Sequence, residues 1–292
     1  MNRFPPKNIL VPVDFTEPSL SALESAKALG SAFDADLELV YVFDFAPHLS
    51  YEGADLSIPA EQMKQHRRLI ERDLKRAAKD YPQDKIKIRI EEGSPSVILS
   101  RMSRKKSGAL IVMGTHGYEG VARALYGSVA ENVVRSSALP VLTLHKESRL
   151  SVPRNILVPV NFTAYADEAL KYALNLAKSS SATVSALFVA DERSDLASSM
   201  TVLETHLEDV LGAKKAAGIK AIVRAGKPDR TILAEADAGR YDLIVLSAHK
   251  KPFWKDWVIG MTAERVLRHS TTPVLAVPTM VGKAKKKKEA EV

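Results

Sequence analysis

Cysteine is absent from the 292 residues, which excludes disulfides, thiolate metal sites and cysteine nucleophiles. No apolar run approaches the roughly 18 residues that span a bilayer. The start, MNRFPPKNILVPVDF, has no long apolar segment of the kind that directs secretion. The expected setting is therefore the cytoplasm, without a membrane partner. The formal net charge is +7, but the C-terminal stretch GKAKKKKEAEV contributes five lysines against two glutamates. That leaves only a modest excess on the body. Residues 280–292 read as a solvated, disordered basic tail, and nucleic acid is not an expected partner. What is present is globular in character, with 46% hydrophobic and 26% charged residues, over a length that suits about two domains.

The chain repeats itself. Asn8 to Thr16 reads NILVPVDFT and Asn155 to Thr163 reads NILVPVNFT, an offset of 147. Later signals recur at an offset of 133: Gly93-Ser-Pro95 answers Gly226-Lys-Pro228, ALIVM at 109–113 answers DLIVL at 242–246, and LPVL at 139–142 answers TPVL at 272–275. The second copy is thus 14 residues shorter between its second strand and Gly226. We read domains over 1–148 and 153–279, joined across the polar stretch KESRLSVPR. In the first copy, apolar runs at 9–13, 37–43, 86–90, 109–113 and 141–144 alternate with helical patterns. Leu20, Leu23, Ala26, Leu29 and Phe33 recur at helical spacing after a Thr16 and Pro18 start, and 60–79 and 96–106 are further predicted helices. Near-continuous apolar strands alternating with helices predict an α/β fold: two tandem doubly wound domains, each with five parallel strands. In such sheets ligands bind beyond the carboxyl ends of the strands, where the strand order reverses.

The stretch VMGTHGYEGVARALYGSVAEN (112–132) begins at the end of the fourth strand and concentrates four glycines. Gly114 follows the strand, Gly117 comes three residues later, and after nine more residues Gly127-Ser128 opens a helix with Val129, Val133 and Val134 on its apolar face. A loop that wraps phosphate must turn backbone N–H groups inward, and glycine permits positive φ and close main-chain approach. The helix start adds free N–H groups and the positive end of a dipole. Ser128 with Glu131 also fits a capping box that needs no ligand. Asp14 also fits the lesser reading of a turn residue ahead of the first helix, and His116 is equally a loop histidine.

This glycine pattern, with VPVD ending in Asp14 and VYVFD closing the second strand, resembles the nucleotide-binding signature of the universal stress protein family. The whole chain outside the basic tail resembles its tandem form. The resemblance implies ATP, with a divalent ion such as Mg2+ near the phosphates, in the first domain. It places Pro12, Val13, Asp14 and Val42 around adenine and ribose. Met113, Gly114, His116, Gly117, Gly127, Ser128 and Val129 fall on the phosphate side. Ala130 departs from the pattern, since ATP-binding members often carry a hydroxyl there. It also implies a homodimer of tandem chains that regulatory protein partners read.

In the second copy the loop has become Ser247-Ala-His-Lys250, then Gly260-Met261, and Asp14 is matched by Asn161. Two glycines, the serine and the carboxylate are gone, so one nucleotide per chain is expected. The Trp-containing loop KKPFWKDWVIG reads either as a self-packed segment or as an interaction surface. No GxxxxGK[ST] loop and no tight cluster of acids accompanies the glycines, so catalysis faster than a slow ATPase is not expected. The sequence favours a nucleotide-binding regulatory protein of the stress response over an enzyme or a nucleotide-free interaction module.

Overall fold

The β-branched runs of the first copy form five strands in the computed structural model, which describes residues 4–44, 60–115, 128–145, 148–238, 240–249 and 260–279. They are β1 (Asn8–Pro12), β2 (Asp36–Phe43), β3 (Ile86–Glu92), β4 (Ala109–Gly114) and β5 (Val141–Leu144). The order is β3-β2-β1-β4-β5, with every neighbour parallel. Ile9, Leu10, Ile111 and Val112 are fully buried, as strands covered on both faces require. Each such side chain contributes roughly 2 kcal/mol of transfer free energy.

The helices are α1 (Glu17–Phe33), α2 (Ala60–Ala77), α3 (Pro95–Arg104) and α4 (Ser128–Ser136). Right-handed crossovers running from β1 out to β3, then back to β4 and β5, put α1 and α2 on one face and α3 and α4 on the other. Helix α1 begins as its sequence predicts, with extended Thr16 at the N-cap and Pro18 in the first turn. It buries Ala22, Leu23, Ala26 and Leu29. Gly30 is demanded by packing: a Cβ there would lie 2.6 Å from Tyr81 Oη, whose hydroxyl donates to the Ala35 carbonyl. Glu38 of β2 is 2% exposed and is paired with Arg89 of β3 and, at 2.6 Å, with Lys106.

The chain forms two compact units, residues 1–152 and 153–292. The second unit repeats the plan through β6 (Asn155–Val160), α5 (Ala164–Ser180), β7 (Thr183–Ala190), α6 (Leu196–Leu211), α7 (Ala213–Ala216), β8 (Ile219–Ala225), α8 (Pro228–Asp237), β9 (Leu243–His249), α9 (Met261–His269) and β10 (Val274–Thr279). Its strands run β8-β7-β6-β9-β10, again all parallel. The predicted class of two doubly wound five-stranded α/β domains is the fold observed. Among the described residues no helix is long and apolar enough to cross a membrane.

Candidate functional site

In the first unit the strand order reverses between β1 and β4. Parallel strands on either side of such a point diverge in their connections and leave a crevice at their carboxyl ends. Pro12 ends β1, Val42 lies near the end of β2, and Met113 and Gly114 end β4. Asp14 follows β1, while Ser128 and Val129 open α4. These residues sit on three adjacent strands and on one helix that leaves the same edge by way of the loop after β4.

Not all of them offer the same atoms. Val13 is 2% exposed and its N–H is already donated to the Val40 carbonyl at 2.9 Å, so its side chain belongs to the core. Met113 is likewise buried. Pro12, Val42 and Val129 are half-buried and Asp14 is exposed. His116, Gly117 and Gly127 lie outside the described residues.

Asp14 builds the turn that presents it. Its Oδ1 accepts from the Thr16 N–H at 3.0 Å and from the Thr16 hydroxyl at 2.5 Å, and its own N–H donates to Ser19 Oγ at 3.3 Å. An aspartate bonding the backbone two residues on is an Asx turn. The intervening Phe15 takes φ 63°, a left-handed conformation unusual for a bulky residue. Its ring lies 5.8 Å from that of Tyr41 in β2. Oδ2 takes part in neither bond to Thr16, so it is the carboxylate oxygen that a ligand would meet.

Gly114 has a reason within the protein. A Cβ on it would lie 2.6 Å from both the carbonyl carbon and oxygen of Pro18. The close main-chain approach that the sequence suggested for a ligand is thus also made by the first turn of α1. Among the described residues no group of three or more His, Asp or Glu is placed to hold a metal ion.

The second unit keeps the turn and changes its chemistry. Asn161 Oδ1 accepts from Thr163 Oγ1 at 2.7 Å, Phe162 takes φ 59°, and its ring lies 4.5 Å from that of Phe188 in β7. Where the first unit has Leu20, the second has Asp167, bonded at 2.8 Å to Nε2 of His206 on α6. The His206 ring also meets Phe162 edge-on at 4.9 Å. Gly260 caps α9 in an ordinary extended conformation, and Met261, the first helical residue, is 78% exposed. Lys250 and the two tryptophans lie outside the described residues.

The pattern of the universal stress protein family matches residues 5–145 and again 153–278. The chain belongs to the universal stress protein family. It carries two such domains in tandem. A universal stress protein of Methanocaldococcus jannaschii is 34% identical over 147 residues, which cover 49% of this chain and 84% of the relative. Among solved structures, a universal stress protein from Archaeoglobus fulgidus matches with a TM-score of 0.73 at 23% identity, over 94% of this chain and 99% of the other. A Pseudomonas aeruginosa chain matches with a TM-score of 0.63 at 16% identity, over 94% of each. At those identities the likeness is one of fold.

Sequence reasoning missed the left-handed Phe15 and Phe162, although the paired DFT and NFT carried the signal, since an Asx residue two before a threonine is a turn former. It also missed the Asp167 and His206 pair, which the repeat alignment exposes at Leu20.

Proposed function

We propose that the N-terminal unit binds one ATP per chain and that the protein is a nucleotide-dependent regulator of the stress response, whose ATP-bound state is read by protein partners. In this reading Asp14 Oδ2 accepts from the ribose hydroxyls, while Pro12 and Val42 flank the base and Val13 contributes main chain. Met113 and Gly114 end the strand beneath the phosphates. His116, Gly117, Gly127 and the start of α4 at Ser128 and Val129 face the phosphates, where free N–H groups and the helix dipole favour an anion. A divalent ion such as Mg2+ would be held chiefly by phosphate oxygens. The working form is a homodimer of tandem chains.

One observation carries the reading. The turn that presents Asp14 at the switch-point crevice is repeated in the second unit with an amide in place of the carboxylate. The shape does not need the charge, so the charge is free to serve a ligand. Family membership supports nucleotide chemistry, and binding is favoured over turnover because the glycine loop brings no phosphate-gripping lysine. The test is to denature the purified protein, identify any released nucleotide by chromatography, and titrate stripped protein with Mg-ATP by calorimetry. One ATP per chain is expected. A stoichiometry of two, or no heat of binding, overturns the proposal.

A further inference from the structure

The groove between α8 and α9 is built from residues other than those of the proposed nucleotide site, and its lining differs in charge from the residues at the matching positions of the first unit. It measures about 750 Å³ and is lined by the cations Lys227, Arg230, Arg265 and Arg268. At the repeat offset of 133, the first three of these replace Ser94, Val97 and Asn132, while Arg268 matches Arg135. The pair shared by both units is internal: Arg135 binds Glu131 at 2.8 Å and Arg268 binds Glu264 at 3.2 Å. At these positions the second unit therefore carries three cations and one acid, Asp229 in place of Ser96, that the first unit lacks.

Part of that charge is uncommitted. Arg265 binds Asp229 at 3.2 Å. Burial works to raise the Asp229 carboxyl, and the Arg265 bond and charge outweigh it, holding the group below the usual carboxylate range. Exposed Lys227 and Arg230, on the α8 wall, have no ion pair among the described residues. Opposite them Met261 is 78% exposed, and Leu233 also lines the groove.

We propose that this groove docks an acidic peptide segment of a partner protein. Carboxylates would meet Lys227 and Arg230, and an apolar side chain would cover Met261 and Leu233. Cations beside an exposed methionine suit a chain that alternates acidic and apolar side chains. A nucleic-acid strand fits less well. No Phe, Tyr or Trp lines the groove among the described residues to stack bases.

The probe is a fluorescein-labelled peptide of alternating glutamate and leucine, titrated with the full chain by anisotropy at physiological salt. A thymidine oligonucleotide is run in parallel. Saturable peptide binding is expected, weakened at least about tenfold by Lys227→Glu with Arg230→Glu. Lys227→Gln with Arg230→Gln should give a smaller loss, and both pairs of exposed substitutions should leave the thermal melt unchanged. Absence of peptide binding overturns the proposal. So does binding that the groove substitutions leave intact, which would assign it to the basic tail. Tighter, groove-dependent binding of the oligonucleotide overturns it in favour of nucleic acid.

Discussion

Asp14→Asn separates the turn from the ligand. In the wild type Asp14 Oδ1 accepts two bonds from Thr16, and Asn161 makes the corresponding side-chain bond to Thr163 at 2.7 Å. An amide oxygen can therefore hold this turn and its left-handed phenylalanine, so stability should change by less than about 0.5 kcal/mol. Asp14→Ala removes both bonds, each worth about 1 kcal/mol at most in this exposed setting, and leaves Phe15 at φ 63° without the Asx turn beside it. A loss of about 1–2 kcal/mol follows, read as a shift in urea midpoint. For ATP the ranking changes. Replacing a charge-assisted bond by a neutral one costs about 1.4 kcal/mol, or about tenfold in Kd, so Asp14→Asn should already show most of the affinity loss in a calorimetric titration. If Asp14→Asn destabilised the fold as much as Asp14→Ala, the charge itself would be holding the turn. If it bound ATP as well as the wild type, the carboxylate would have no part in the site.

Gly114→Ala drives a Cβ to 2.6 Å from the Pro18 carbonyl; because the obstacle is backbone, about 1–3 kcal/mol of stability should be lost, and an unchanged urea midpoint would count against that contact. Gly30→Ala gains up to about 1 kcal/mol of helix propensity but pushes on Tyr81 Oη, for a net loss of about 1 kcal/mol. Combining it with Tyr81→Phe should cost less than the sum of the two singles, and strict additivity would refute the contact. For Glu38, burial works to raise the carboxyl, while hydrogen bonds and charge from Lys106 and Arg89 outweigh it and hold it below the ordinary range. A carboxyl held low contributes stability above its unfolded value and loses it as pH falls through the native one. Glu38→Gln should therefore cost about 1–3 kcal/mol at neutral pH and flatten the acid limb of stability against pH; an acid limb as steep as that of the wild type would refute the assignment.

The strands and helices were legible because they follow from local pattern. The runs at 86–90 and 141–144 became β3 and β5, and the helix predicted over 60–79 closed at Ala77, two residues early. The run at 9–13 became Asn8–Pro12, an error of one residue of the size expected at element ends. The sites were less legible because they depend on what approaches from elsewhere in the chain. Gly114 looked like a ligand contact because glycine alone cannot say whether a phosphate or the Pro18 carbonyl lies beside it. Gly30 gave no signal, since its reason is Tyr81, 51 residues away. Thr16 sits at the expected N-cap but makes no side-chain cap bond to α1, whereas Thr163, which donates to Asn161 as Thr16 donates to Asp14, also accepts from the Ala166 N–H.

The two copies let fold and function be told apart inside one chain. What both retain is structural: the left-handed phenylalanine after the Asx residue and its stacking on Tyr41 or Phe188. These features anchor the β1 and β6 turns to the neighbouring strand, and they are present with either Asp or Asn before the phenylalanine. What differs lies around the crevice and the outer groove, where no packing rule requires a change. Gly114 is answered by Ser247, and β9 runs two residues past that position to His249, whereas β4 ends at Gly114 itself. In the first unit the strand end lies close against the Pro18 carbonyl. This contact brings the start of α1, the positive end of a helix dipole, against the strand whose loop carries the glycines. Glycine at the strand end and the carboxylate of Asp14 are what the first unit has and the second, with Ser247 and Asn161, lacks.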